Sequence, residues 1–255
     1  MNEIVKGKNR AYARYEETLL RRDSLRKEAE LLHLRYIRQF GDLIERAFRL
    51  KVECIRKKKM IAYCQQRANK GERINAAALD NYIERQMALY QKELEDLVAG
   101  VKASKEAKTI SAADVRKVKD IYRRLAKRIH PDLHPELADD EALKEYWHRI
   151  VVAYSHNQLK EIAELEALVE GYLAERGKAN TAFVIPDVED KIRESEAEIE
   201  KILSTEPYLY KLLLEDEAEM AQKTQELLDE IASYKNYAAQ LDGVLETFEI
   251  ERWVS

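Results

Sequence analysis

The chain has 255 residues, of which seven are glycine and four proline. With so few helix breakers among abundant Glu, Lys, Ala and Leu, the composition predicts an all-α fold with a sizeable core. No run approaches 18 apolar residues, and the opening MNEIVKGKNR leads into no apolar stretch, so neither a membrane span nor a signal peptide is expected. Net charge is only -4, but its distribution is uneven. Residues 1–70 hold 19 Lys or Arg against 9 Asp or Glu, whereas residues 187–255 hold 7 against 19. Opposite ends of the chain can therefore attract one another, within a molecule or between copies.

Residues 1–99 read as a long-helix region. From about Ala11 to Ala68, Leu19, Leu20, Leu32, Tyr36, Phe40, Leu43 and Phe48 recur at roughly helical spacing. Gly41 marks a break or a close contact. Arg56-Lys57-Lys58-Lys59 is a basic knot, but acids are mixed through the segment and aromatics are sparse. That pattern fits a solvated face or an acidic protein partner better than nucleic acid. Cys54 and Cys64 have no CxxC spacing, so they read as buried free thiols. The lack of a disulfide framework suits a reducing cytosol, and a cytoplasmic location is expected. Asn69 to Asn75 reads as a turn. Asn75 then caps a helix through Leu79, Ile83, Met87, Tyr90, Leu94 and Leu97, which Gly100 ends or kinks.

The most informative text lies between Val115 and Tyr154. Val115, Val118, Tyr122, Leu125 and Ile129 fall at spacings of 3, 4, 3 and 4, one stripe of an α-helix. Ser111, three residues before Asp114, is positioned for a capping box. Between the apolar positions lie Arg116, Lys117, Lys119, Arg123, Arg124, Lys127 and Arg128, a dense cationic face. Pro131 stops this helix and holds His130 extended. A second helix starts among Asp139, Asp140 and Glu141, with Leu143, Trp147, Ile150 and Tyr154 as its stripe. Two such helices on a short loop pack antiparallel, leaving an exposed tip that carries a histidine and an aspartate.

Tyr122 to Lys127, then His130-Pro131-Asp132, then Ile150 and Ala153-Tyr154, together resemble a J domain of the DnaJ co-chaperone family over roughly residues 100–160. The resemblance implies an antiparallel helical hairpin set among long helices. It also implies that Tyr122, Arg123, Arg124, Lys127, His130, Pro131 and Asp132 bind the ATPase side of a DnaK-type heat-shock chaperone and stimulate its ATP hydrolysis. Leu125, Ile129, Trp147, Ile150 and Tyr154 would form the hairpin core. The chain departs from the family in three places. LVAGVKASKEAKTI lacks the family's aromatic pair and Leu-Gly turn, Leu133-His134 replaces a polar or basic pair, and the second helix is expected to run on to Glu170. The unit is thus taken as residues 100–170, continuous with a helical stalk.

Residues 171–187 are read as a linker, and residues 188–255 as an acidic helical region. Val188 to Leu203 forms one helix; Pro207 is expected in the first turn of the next, which runs to about Tyr237. Its near-heptad spacing leaves coiled-coil packing and self-association open. Val244, Leu245, Phe248, Ile250 and Trp253 can dock the tail on another helix. Competing chemistries fare poorly. His130 and His134 are four apart, but Pro131 breaks the helix that would align them; no HExxH occurs, and no metal or cofactor is expected. No nucleophile with a base, and no phosphate-cradling glycine loop, is legible, so the chain is not read as an enzyme. The expected function is recruitment of a DnaK-type chaperone, with the helical arms holding a client whose identity the residues do not specify. The alternative is a structural or adaptor protein in which the hairpin only packs.

Overall fold

The structure, a computed structural model, describes residues 2–106, 110–175 and 187–251, with side chains described over 10–106, 110–175 and 187–250. Among the described residues it is all-helical apart from two two-residue strands. The helices are α1 (Asn2–Asn69), α2 (Ala76–Glu106), α3 (Ala112–Ile129), α4 (Glu141–Ser155), α5 (Leu159–Glu175), α6 (Val188–Ser204), α7 (Tyr210–Glu215) and α8 (Glu217–Leu245). The chain divides into two compact units, neither continuous in sequence. One comprises residues 1–32 and 108–209, and the other residues 33–107 and 210–255. Most of the expected linker, 176–186, and Trp253 lie outside the described residues.

In the second unit, α1 continues through Gly41 without a break. A Cβ at Gly41 would come within 3.0 Å of Val101 Cγ2, so the glycine serves close helix approach. Gly71, at φ +67°, turns the chain after α1, a conformation that costs glycine little. Asn75 Oδ1 accepts the Ala78 N–H at 3.0 Å and caps α2 as expected. Gly100 neither ends nor breaks α2, which runs on to Glu106. One helical glycine costs about 1 kcal/mol, less than the flanking residues recover. The small core here joins Val52, Cys64, Ile74, Leu79, Ile83 and Met87, with Phe48, Phe248 and Ile250 packed on it. Strand β1 (Ile74–Asn75) pairs in parallel with β2 (Ile250–Glu251), a contact that the pattern of the sequence did not signal. Both cysteines are buried thiols, and Cys54 Sγ lies 3.4 Å from the Tyr234 carbonyl. Pro207 precedes α7 instead of entering its first turn, and α8 continues past Tyr237 to Leu245.

In the first unit, α3, α4 and α5 form a bundle. The expected continuous helix from Tyr154 to Glu170 is instead two helices. Asn157 adopts φ 52°, the left-handed region that asparagine tolerates, and the chain reverses there. Arg124 pairs with Glu166 and Arg128 with Glu170, so α3 and α5 advance together and run parallel, with α4 antiparallel between its neighbours in sequence. The core is Val118, Ile121, Tyr122, Leu125, Ala126, Ile129, Leu143, Ile150, Ala153, Tyr154, Ile162, Leu165 and Val169, joined by Leu20 from α1. Trp147 packs against it half-buried. Here α5 buries its own stripe on the hairpin and does not extend away as a stalk.

Candidate partner-docking site at the hairpin tip

Local chemistry sets both helix starts. Ser111 Oγ accepts the Asp114 N–H at 3.0 Å, and Asp114 Oδ2 accepts the Ser111 hydroxyl at 2.9 Å. Asp140 Oδ1 accepts from the N–H groups of Ala142 and Leu143 at 3.1 and 3.2 Å, and also receives the Tyr172 hydroxyl from α5. Such caps contribute about 1 kcal/mol each; the first fixes where α3 starts and the second where the loop between α3 and α4 ends. Pro135–Leu137 adds a short 3-10 turn within that loop.

At the tip, His130 caps α3 with its own N–H donating to the Ala126 carbonyl. The His130 Nδ1 accepts the Asp132 N–H at 3.0 Å. With Nδ1 as acceptor, the neutral ring carries its proton on Nε2. The ring thus ties the turn, and Pro131 and Asp132 project to solvent. His130 itself is only 6% exposed, so the expectation of a fully open tip fails at this residue. Its Nε2 faces Asp23 Oδ2 of α1 at 3.9 Å, and its ring meets the edge of Trp147 with centroids 4.7 Å apart. Burial holds the His130 pKa below its usual value of 6.5, although Asp23 and Asp132 oppose the shift.

Asp23 is the centre of a polar cluster that the sequence reading did not anticipate. It accepts the Tyr122 hydroxyl at 2.8 Å and two bonds from its neighbour Arg22, at 3.2 and 3.0 Å. Burial, and then the nearby Asp23 charge, push the Tyr122 pKa far up, so this hydroxyl stays a donor. Lys27, one turn further, donates to the Tyr154 carbonyl at 2.7 Å and to that of Ser155, capping the end of α4. Burial lowers the Lys27 pKa from 10.5 to about 8. A faint signal existed. Leu20, Asp23 and Lys27 lie 3 and 4 apart on one stripe, and all three are buried, so two charged residues stand where the helical period calls for apolar ones.

The structure therefore divides the seven expected site residues. Tyr122 and His130 face α1 and are buried. Arg124 forms a two-point pair with Glu166 at 2.6 and 3.0 Å, and Lys127 meets Glu16 at 2.7 Å while staying about half exposed. Arg123, Pro131 and Asp132 are exposed. The five hairpin-core residues, Leu125, Ile129, Trp147, Ile150 and Tyr154, come together in one cluster.

Leu133 gives the departure from the family pattern a physical role. It is 1% exposed and packs with Tyr15 and Leu19 of α1 and Ile192 of α6. Burial, with the Asp132 charge second, raises the Tyr15 pKa to about 12. His134 places its ring nitrogens 3.0 Å from Glu136 Oε1 and 2.7 Å from the Lys127 carbonyl, and His156 Nδ1 is 2.9 Å from the Val152 carbonyl. Among the described residues no group of three or more His, Cys, Asp or Glu is arranged to hold a metal ion, and no helix is long and apolar enough to cross a membrane. Comparisons of the chain with protein-family models, with curated proteins and with solved structures find no match.

Proposed function

We propose that this chain is a J-domain-type co-chaperone. Its tip recruits a DnaK-type heat-shock chaperone and stimulates ATP hydrolysis there, while other helices hold a client or an assembly. The observation that carries this reading is the tied turn. The His130 ring accepts the Asp132 N–H, which points Pro131 and Asp132 outward at the end of a cationic helix that leaves Arg123 and Lys127 exposed. Asp132 can then meet a basic group of the partner, and the Arg and Lys side chains steer toward an acidic surface. The chain contributes no reacting group of its own; its influence on hydrolysis is exerted by binding.

The test is single-turnover ATP hydrolysis by a purified DnaK-type chaperone. Wild type should accelerate it, and His130→Gln and Asp132→Asn should not. Asp132→Asn is the safer variant, since this side chain is exposed and its loss threatens no core. Equal rates with all three proteins would remove the stimulation claim.

A second reading, a helical adaptor in which the hairpin only packs, has its own observation. Tyr122 and His130 are turned toward Asp23 of α1, and Arg124 and Arg128 are matched by acids of α5. Co-purification without any DnaK-type chaperone, together with an unstimulated ATPase, is the result that selects it.

A further inference from the structure

The His130 ring must keep one orientation for its Nδ1 to stay on the Asp132 N–H, and it is too buried for water to hold it there. What faces its other nitrogen comes from outside the hairpin. Asp23 Oδ2 of α1 lies 3.9 Å from Nε2, too long for a hydrogen bond but close enough for a charge to act where solvent is excluded. With the ring's proton on Nε2, the positive edge of the ring meets that carboxylate. The opposite tautomer would set two N–H groups against each other at Nδ1 and aim the Nε2 lone pair at a negative charge. A flipped ring would take Nδ1 away from Asp132. We propose that Asp23 is a positioning residue for the tip: it keeps the His130 ring in the one state that ties the Asp132 backbone. This rests on the co-chaperone reading above and adds a residue of α1 to its working parts.

The carboxylate is itself held in place. Arg22 donates twice to Oδ1, at 3.2 and 3.0 Å, and the Tyr122 hydroxyl donates to Oδ2 at 2.8 Å. Asp23 is 8% exposed, so these contacts fix it and solvent does not. Trp147 of α4 meets the His130 ring edge-on and brings no charge. The charged and titratable groups about the ring are Arg22 and Asp23 of α1, and Asp132 and His134 of the loop. Both carboxylates favour a positive ring edge, but Asp132 is exposed and its charge is screened, whereas Asp23 is buried. Lys27 supplies the contrast. It lies on the same stripe of α1 and is equally buried, yet it holds another place, the Tyr154 and Ser155 carbonyls at the end of α4.

The experiment uses the full chain with isotope-labelled histidine. In wild type, NMR should show a neutral His130 ring at neutral pH with its proton on Nε2. A proton on Nδ1 would overturn the proposal without any variant, so the test does not hang on a mutant that folds. Asp23→Asn keeps the shape of the side chain and an acceptor for Tyr122 but removes the charge. In it the His130 pKa should fall by about one pH unit, because the carboxylate that favours the charged ring is gone. The Asp132 amide should exchange with solvent about tenfold faster, the worth of one hydrogen bond. Acceleration of ATP hydrolysis by a DnaK-type chaperone should drop by a similar factor. Lys27→Met loosens α1 from the end of α4 and should alter neither the Asp132 amide nor the acceleration. If Asp23→Asn accelerates hydrolysis as wild type does, Asp23 does not position the tip, and the recruitment reading stands. If acceleration is lost while the Asp132 amide is unchanged, or if Lys27→Met loses as much, the effect is one of general stability and the proposal is overturned. If wild type itself gives no acceleration, recruitment fails and the part of Asp23 in it fails too.

Discussion

The α3–α4–α5 bundle and the layer beside its tip are held by different forces. The bundle closes on Val, Ile and Leu side chains, many of them inaccessible to solvent, with the stacked rings of Tyr122 and Tyr154 at its edge, 3.9 Å apart. The tip is flanked by α1 and α6, which hold His130 and Leu133 through Asp23, Arg22, Lys27, a set of half-exposed ion pairs and a few apolar contacts, and leave Pro131 and Asp132 exposed. Dispersion and hydrophobic burial make the apolar core of the first region little sensitive to salt and pH. Charge makes the second responsive to both.

The sharpest way to break this contrast is to remove Asp23. Asp23→Ala leaves the buried Tyr122 hydroxyl without its acceptor and the Arg22 guanidinium with Glu198 alone, so about 3–5 kcal/mol of unfolding free energy should be lost. Urea denaturation followed by circular dichroism reads this directly. A loss under 1 kcal/mol would mean that the buried carboxylate is not what organises the cluster. Ile150→Ala probes the apolar side. Ile150 is fully buried, and about 2–5 kcal/mol should go, with the same loss at 0.05 and 0.5 M NaCl.

Lys27 sharpens the comparison through pH. Its folded pKa, about 8, lies below its ordinary 10.5, so the unfolded chain binds the extra proton between those values. That group's contribution to stability therefore rises as pH climbs from about 8 toward 10.5, and the burial penalty on its charge is fully present below 8. Tyrosines and thiols with raised pKa values act in the opposite sense at the alkaline end, which is why the comparison must be a difference. Subtracting the stability of Lys27→Met from that of wild type at pH 7.5 and pH 9.5 should leave a positive change. A difference independent of pH would show that Lys27 titrates normally. The smallest effect is expected at Arg124. This exposed side chain makes a two-point pair with Glu166, and Arg124→Gln should cost less than about 1 kcal/mol, shrinking further at high salt.

The sequence was a good guide wherever structure is local. Ser111 and Asn75 cap the helices they were expected to cap, and Asp140 caps α4 within the acidic run where that helix was expected to start, because a cap needs only a side-chain oxygen two or three residues from an N–H. The hairpin stripe was equally legible from its period, and all-α character from composition. What escaped were features fixed by contacts across long separations. Asn157 looks like any polar helix-surface residue until its left-handed backbone reverses the chain. The pairing of Arg124 with Glu166 spans 42 residues, so a face expected to be a free cationic surface is partly matched by α5. Asp23 lies 99 residues from the hydroxyl that it accepts, and no periodicity announces such a partner. Leu133 was visible only as a departure from a family pattern; its seat between α1 and α6 explains why an apolar residue stands there.

The most direct measurement is the rate of a single ATP turnover by a DnaK-type chaperone with saturating wild-type protein and with Asp132→Asn. Acceleration by the wild type, lost in the variant while its melting curve stays unchanged, is the expected result. A rate that is the same with either protein as with chaperone alone would contradict recruitment at this tip.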